Sequence, residues 1–425
     1  LRFLASNTTP APIGVAPAPD GSGGQLSTGE ANPGAPDTAN IFAGSVTVPY
    51  YLEAPQSVND AVILSTFWAS NGTRADGSSV LPSPSGGFIS CLAFSASEST
   101  TKCFREPTMR TTQTIPVLVT VPNANSGQTM PAAGWPVVIA LHGITGNRTQ
   151  MLGIAPALAA EGFVVVAIDQ PLHGLPPGNA ARVPGVPERT FDVDLVNNTT
   201  GAPGPDMVAD SSGTHFINLP SVITARDNFR QSVTDIINLN ASLGASDIVL
   251  VDAMGNPTGG TIALDNDNVH FFGHSLGGIV GSSVLGVTGN ELGAAALANP
   301  GSGIIGLLDG SAAFGPRISV GLAAAGAPEG SDNYETFLRF AQTVNDTSDP
   351  VNLAAAAAAA HDVYMIEVVG NLASGGSNPP DLVVPNLVFR NTPAAGPCPM
   401  AAGTFLPFQD IACESRPLSG TDPLA

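Results

Sequence analysis

The sequence predicts an α/β fold whose sheet is mostly parallel and doubly wound. Two apolar runs, Trp135–Leu141 and Phe163–Asp169, lack the alternation of a half-exposed strand, so each is typical of a strand that helices cover on both faces. Between them, Met151–Glu161 is rich in alanine, has apolar residues at helical spacing and is closed by Gly162. Strand, helix and strand in this order form a βαβ unit, which places the two strands parallel in one sheet.

A second unit of the same kind is predicted further along the chain. Helical spacing indicates a helix over Ala225–Leu243. A strand follows, either Ile248–Val251 or the segment that ends at Phe272, and another helix comes after Ser275. The remaining strands are predicted over Ile115–Val121, Ala294–Ala298 and Val363–Val369.

The pentapeptide Gly273-His274-Ser275-Leu276-Gly277 lies between a predicted strand and a predicted helix. This pattern is typical of a nucleophile elbow, in which a serine sits on a strained turn and glycines flank it because a Cβ there would collide with the backbone. Such matches also arise by chance in a glycine-rich chain, and the strand and helix on either side favour the functional interpretation. We therefore predict Ser275 as a nucleophile.

The apolar strand Trp135–Leu141 runs directly into a loop that begins His142-Gly143-Ile144. Open α/β sheets place their ligand sites at the carboxyl ends of strands. We predict that the backbone N–H groups of Ile144 and Leu276 form an oxyanion hole, in which each donor is typically worth about 10²–10³ in rate. The alternative is that His142 and Gly143 form only a tight turn after a core strand.

At this point the chain resembles the α/β hydrolases, and among them the bacterial extracellular lipases that include surface lipoprotein lysophospholipases. The resemblance covers roughly residues 45 to 425 and is carried by Trp135–Gly174, Arg226–Gln231, Gly273–Gly278 and Asp381–Asn386. It implies an α/β-hydrolase fold with a serine elbow, a His-Gly oxyanion loop and an aspartate after a late strand. Carried over residue by residue, these fall on Ser275, on Ile144 with Leu276, and on Asp381.

The position of Asp381 in the sequence makes it a candidate acid independently of the resemblance. It follows the predicted strand Val363–Val369 through a Gly-Gly-Ser linker and comes after the serine in the chain, which is the order of an α/β-hydrolase triad. An acid in that role orients the histidine tautomer and stabilises the imidazolium. Asp309 is the rival, although the segment Ile304–Ser311 around it reads equally as a surface helix end.

The catalytic histidine is expected after the acid, yet the chain has none after His361. The other five lie in the oxyanion loop, in a strand, in the elbow, at a strand end and in an insertion: His142, His270, His274, His173 and His215. None of the six is predicted as the base. Leu418–Leu424 resembles the stretch that precedes the final strand and its histidine in the similar lipases. We therefore expect the last strand and the histidine loop beyond residue 425.

Composition sets limits on the partners. The net charge is −20 and Lys102 is the only lysine, which disfavours nucleic acid and anionic membrane surfaces. No apolar run is long enough to span a membrane. The resemblance to the lipases implies a small-molecule or lipid ester as the partner, and the sequence leaves the oligomeric state open.

The four cysteines fall into two local pairs, Cys91 with Cys103 and Cys398 with Cys413. This spacing predicts two disulfides and an oxidising compartment, with buried free thiols as the alternative. No pair has the close spacing of a zinc site. The run Asp265–Asn268 indicates a turn before a strand rather than a calcium site. We expect no metal and no cofactor.

The predicted organisation has three parts. Residues 1–40 are rich in Ala, Pro, Gly, Ser and Thr and read as a flexible tether, and residues 41–110 as a small β-rich extension. Residues 111–425 form the hydrolase core, interrupted at about 175–220 by a Pro- and Gly-rich segment that suits a lid. The tether favours a secreted or cell-surface bacterial protein and is compatible with a lipid anchor upstream of Leu1.

The expected function is that of a serine carboxylester hydrolase acting through an acyl-enzyme on hydrophobic esters, lipids or polyesters. One alternative is a binding protein that keeps the elbow but has no working base. Another is a peptidase or acyltransferase, because the same constellation serves those reactions.

Overall fold

The computed structural model describes residues 1, 4–5, 8–70, 100, 106–289, 291–371, 376–390, 414–416 and 418–424. The chain divides into two compact units, Leu1–His270 and Phe271–Ala425. Within the described ranges, no helix is both long and apolar enough to cross a bilayer. The predicted disulfide cysteines, Cys91, Cys103, Cys398 and Cys413, lie outside the described residues.

The first unit is built on a mixed sheet. Its strands are β1 Gly14–Pro17, β2 Ala39–Tyr50, β3 Thr111–Pro122, β4 Trp135–Leu141, β5 Val164–Ile168, β6 Ile248–Val251 and β7 Pro257–Ile262. They lie side by side in the order β4-β5-β3-β2-β1-β6-β7. The β4–β5 and β1–β6 pairs are parallel, and the other neighbours are antiparallel.

The predicted βαβ unit of the first part of the chain is confirmed. Strand β5 is buried along its whole length and β4 along nearly all of it, as expected for apolar runs without alternation. The helix between them, α2 Ala155–Ala160, is shorter than predicted, and a 3₁₀ turn, Arg148–Gly153, precedes it. Pro156 accounts for the late start, because proline has no N–H to donate and is tolerated only in the first turn of a helix.

The amino-terminal region differs from the sequence prediction. Strand β1 lies inside the predicted tether 1–40, and a short helix, α1 Thr28–Ala31, follows it with a Ser27 capping box. Strand β2 pairs with β3 along its entire length, so this part of the predicted extension 41–110 belongs to the main sheet of the unit. The backbones of β1 and β2 approach so closely that a Cβ on Gly44 would lie 1.9 Å from the Gly14 carbonyl oxygen.

The segment 175–220, predicted as a lid, has little regular structure, as its composition indicates. It contains turns, an isolated bridge between Val196 and Pro203 and a 3₁₀ turn, Leu219–Ser221. Its role as a lid stays a prediction. The helix after it, α3 Val222–Ala245, extends the predicted helix at both ends.

The second unit continues the α/β pattern. Strand β8, Leu264–His274, enters it from the first unit, and β8, β9 Ala295–Ala298 and β10 Val363–Ile366 pair in parallel. Its helices are α4 Leu276–Val287, α5 Ile304–Gly310, α6 Gly315–Ala324, α7 Asp332–Asn345 and α8 Ala354–Ala360. A short antiparallel pair joins β11 Val388–Arg390 to β12 Glu414–Arg416. Helix α3, strand β8 and helix α4 follow one another along the chain in the order predicted for the second unit, and the α/β fold class is confirmed.

Candidate active site

Ser275 lies on the turn between β8 and α4, as the pentapeptide predicts. Its backbone has φ 52° and ψ −117°, a conformation that costs a residue with a side chain about 1–3 kcal/mol and persists only where the surroundings enforce it. Two hydrogen bonds do so: the Ser275 N–H donates to the Ala298 carbonyl at 2.7 Å, and the Ile279 N–H donates to the Ser275 carbonyl at 2.9 Å. The turn is therefore tied both to the end of β9 and to the first turn of α4.

The absence of a side chain at Gly273 is what allows the turn to close. A Cβ at this position would lie 2.4 Å from the Gly277 carbonyl oxygen and 2.8 Å from the Gly278 nitrogen. Both are backbone atoms of α4, so the helix itself would have to shift. The glycine that the sequence motif requires is thus required by the observed geometry as well.

If the protein has the ester hydrolase activity that the sequence predicts, we expect Gly273→Ala to lower its kcat by about 100-fold or more, because a misplacement of about 1 Å can cost this much. We also expect the free energy of unfolding to fall by about 1–3 kcal/mol, the usual cost of overpacking. The measurements are steady-state kinetics and urea denaturation. Gly321→Ala is the matched control, since a Cβ at Gly321 meets nothing within 4 Å; equal behaviour of the two variants would contradict the prediction.

The backbone N–H of Leu276 lies in the first turn of α4. Leu276 is the first residue of α4, and no side chain caps this helix. The first four N–H groups of a helix have no partner within it, and the helix dipole favours negative charge at that end. The predicted oxyanion donor therefore stands directly beside Ser275 at a helix terminus suited to an anion.

Asp381 follows β10, and its carboxylate is held from two sides. Its Oδ1 accepts the backbone N–H groups of Val383 at 2.8 Å and Val384 at 2.9 Å. Its Oδ2 accepts the side-chain amide of Asn299 at 2.8 Å. The Asp381 N–H in turn donates to the Val368 carbonyl at 3.0 Å, so the turn that carries the acid is fixed beside the end of β10.

Asp309, the rival acid, lies in a different setting. It is the penultimate residue of α5, and its Oδ1 accepts the hydroxyl of Tyr334 from α7. Burial, and next this hydrogen bond, raise the pKa of Tyr334, so the phenol remains a donor. Asp309 is thus engaged in joining two helices.

Two histidines belong to the second unit. Burial lowers the pKa of His274, and the charge of Asp381 partly offsets this. His361 is buried, and its two ring nitrogens face the carbonyl oxygens of Leu292 and Leu285 at 3.0 Å each. Both ring nitrogens of His361 are thus directed at backbone carbonyls.

In the first unit, the loop after β4 has a structural histidine. His142 is 4 % exposed, and its Nε2 accepts the Gln170 N–H at 3.0 Å, so its Nδ1 carries the proton and donates to the Gly143 carbonyl at 2.8 Å. Burial lowers its pKa, which keeps the ring neutral. The ring therefore shapes the predicted oxyanion loop that continues into Ile144.

A buried ion network holds the same loop. The Arg148 backbone N–H donates to the Asp169 carboxylate at 2.6 Å, and its guanidinium bonds both Asp169 and Glu188, the latter at 2.7 and 2.8 Å. All three side chains are almost fully buried, and removing one partner of such a pair leaves an uncompensated charge. The ends of β4 and β5 are thus fixed to one another and to the segment 175–220.

The remaining histidines of the first unit also have structural partners. His173 is fully buried, its Nδ1 lies 2.9 Å from the Pro171 carbonyl, and burial lowers its pKa well below the usual value. His215 pairs with Asp210 at 2.7 Å, and His270 lies 2.7 Å from the Asn268 side-chain oxygen.

Residues 418–424, which we call the C-terminal strap, cross the loops of the second unit. Ser302 and Gly420 exchange backbone hydrogen bonds at 2.9 and 3.0 Å, and the Thr421 hydroxyl donates to the Pro300 carbonyl at 2.7 Å. In addition, the backbone N–H groups of Thr421 and Asp422 donate to the carbonyls of Pro385 and Asn386, respectively. It thereby joins the loop after β9 to the turn that follows Asp381.

Similarity to known proteins is found among solved structures. No protein-family model matches the chain, and no curated protein matches it. Similar solved structures include an acetyl xylan esterase from a Paenibacillus species, with 15 % identity over 60 % of this chain and 73 % of that one, at a TM-score of 0.30. Acetyl xylan esterase 1 from a Thermoanaerobacterium species has 16 % identity over 60 % and 72 %, at 0.31. A lipase in its open form has 13 % identity over 60 % and 76 %, also at 0.31.

The backbone of the chain itself shows the fold. Its second unit has three parallel strands, with the strained serine turn after the first and a carboxylate turn after the third. A helix begins at the residue after the serine. This is the strand–turn–helix context that defines a nucleophile elbow, and by these features the chain has the α/β-hydrolase fold.

Proposed function

We propose that the protein is a serine carboxylester hydrolase that acts on hydrophobic esters through an acyl-enzyme. The observation that carries the proposal is the backbone of Ser275, which pairs a positive φ with a helix that starts at the next residue. Strain of this kind is stored at functional sites.

The chemistry follows from the groups around the turn. The Ser275 hydroxyl attacks the ester carbonyl, and the Leu276 N–H stabilises the oxyanion that forms. The Ile144 N–H as a second donor stays a prediction of the sequence. Collapse of the tetrahedral intermediate expels the alcohol and leaves an acyl-enzyme, which water then hydrolyses.

A histidine is the base that this mechanism requires, and Asp381 is the acid proposed to orient it. The histidine takes the serine proton on attack and gives it to the leaving alcohol. The contacts of Asp381 support its role as the acid. One carboxylate oxygen accepts two backbone N–H groups, and the other accepts the Asn299 amide and has a second lone pair for a histidine N–H.

The test is covalent labelling of the full-length protein with a fluorophosphonate, followed by peptide mass mapping. We expect stoichiometric addition to Ser275, with no addition in Ser275→Ala. A folded protein that stays unlabelled would favour the alternative of a binding protein without a working base.

Hydrolysis of p-nitrophenyl esters of short and long acyl chains on the same preparation places the enzyme between esterase and lipase. Cleavage of a matched amide at a comparable rate would instead favour a peptidase.

A further inference from the structure

Asn299 occupies the position between the proposed nucleophile and the proposed acid. It is the first residue after β9, and the residue before it, Ala298, provides the carbonyl that accepts the Ser275 N–H. Its own N–H donates to the Ile366 carbonyl at the end of β10, at 2.8 Å. The backbone at Asn299 is therefore hydrogen-bonded both to the serine turn and to the end of β10, the strand that precedes Asp381.

The backbone of Asn299 is also in the left-handed region, with φ 53°. Asparagine and glycine are the residues that adopt this conformation most readily. Glycine would satisfy the backbone alone. Asparagine adds a side-chain amide, and that amide donates from Nδ2 to Asp381 Oδ2 at 2.8 Å.

The contacts of Asp381 show what this amide does. Oδ1 has two backbone donors, from Val383 and Val384, and these use both of its lone pairs. Among the described residues, Oδ2 accepts only the Asn299 amide, which leaves one lone pair on that oxygen. A ring N–H can therefore reach the carboxylate at one place and from one direction.

We propose that Asn299 is a positioning residue that fixes the plane of the Asp381 carboxylate, so that one lone pair of Oδ2 is presented to the catalytic histidine. The inference rests on the proposed function. Without the amide, the carboxylate keeps its two backbone donors but is free to rotate its second oxygen. The histidine then spends less time in the orientation that accepts the serine proton.

The test is a double-mutant cycle in the full-length protein with p-nitrophenyl butyrate. Asn299→Gly keeps the left-handed backbone and removes the amide. We expect it to lower kcat about 10- to 100-fold, the range that corresponds to a hydrogen bond to a charged group. KM should change less than about twofold, because ground-state binding does not involve the acid.

In an Asp381→Ala background, which has no carboxylate for the amide to position, the same Asn299→Gly change should alter kcat by less than about twofold, because residues that act through one another are not additive. Asn299→Asp keeps the shape and the backbone preference but places a second carboxylate against Asp381, and we expect a larger loss than for glycine. It also keeps the proposal testable if the glycine variant does not fold.

The outcomes separate the inference from the function. Serine-dependent activity with a wild-type kcat in folded Asn299→Gly overturns the inference and leaves the function intact. A loss that is equally large in the Asp381→Ala background also overturns it, since Asn299 would then act on the fold and not on the acid. A folded wild type without Ser275-dependent activity overturns both.

Discussion

Replacement of Ser275 by alanine is expected to lower kcat for p-nitrophenyl ester hydrolysis by about 10⁶-fold, the loss seen when a serine hydrolase is deprived of its nucleophile. The residual rate would come from the oxyanion donor and from substrate binding. KM should change little, because the hydroxyl forms its bond only as the transition state is reached. The measurement is initial-rate kinetics at enzyme concentrations high enough to detect the residual activity.

Stability should not account for the loss. Alanine removes one oxygen from a turn whose two backbone hydrogen bonds remain, so the melting temperature should move by no more than a few degrees. Ser65→Ala is the control, since Ser65 is exposed in the first unit. Ser275→Ala with more than about 10 % of wild-type kcat would exclude Ser275 as the nucleophile.

Replacement of Asp381 by asparagine is expected to lower kcat by about 10⁴-fold, the cost of losing the acid that sets the histidine tautomer. Asparagine keeps the size of the side chain, and its oxygen can still accept from Val383 and Val384. The new side-chain NH2 group, however, would take the place of Oδ2, which accepts the Asn299 amide. Two donors would then face each other, and this hydrogen bond would be lost. The measurement is kcat and KM together, and we expect the change in kcat alone.

Asp309→Asn is the matched control, because Asp309 is the other candidate acid of the second unit. Its side chain accepts the Tyr334 hydroxyl, and an amide oxygen can accept the same bond. We expect near wild-type kcat and at most a small loss of stability. The opposite pattern, with Asp309→Asn inactive and Asp381→Asn active, would show that the acid assignment is wrong.

The elbow was predictable because its information is local. Gly273, Ser275 and Gly277 describe one turn, and the collision that excludes a Cβ at Gly273 involves atoms four and five residues away. The buried strands β4 and β5 were predictable for a similar reason, since continuous apolar runs report burial on both faces. Neither inference required knowledge of distant partners.

Strand β1 shows where local information ends. Its sequence, Gly-Val-Ala-Pro, has weak strand propensity and lies in a segment of tether-like composition. It is a strand because β2 on one side and β6 on the other provide partners, and strand formation depends on such tertiary context more than on intrinsic preference. The sequence alone therefore indicates a tether where the structure has part of the sheet.

Asn299 lies between these two cases. A polar residue directly after the buried strand Ala295–Ala298, at the carboxyl end of a parallel sheet, is a signal that sequence analysis can use. Its partner could not be identified in the same way, because Asp381 lies 82 residues further along the chain. The pairing depends on β9 and β10 being neighbours.

The C-terminal strap has a consequence for how the protein is made. Its bonds to Ser302 and Pro300 join positions 116 to 121 residues apart, whereas the elbow needs only its own turn and β9. At about 5–20 residues per second, a ribosome takes roughly 6–24 s to add such a length of chain. The nascent polypeptide thus carries its serine turn well before the acid turn gains its last support. Folding of this region therefore follows the order of the chain, and the hydrogen bonds of the strap form last.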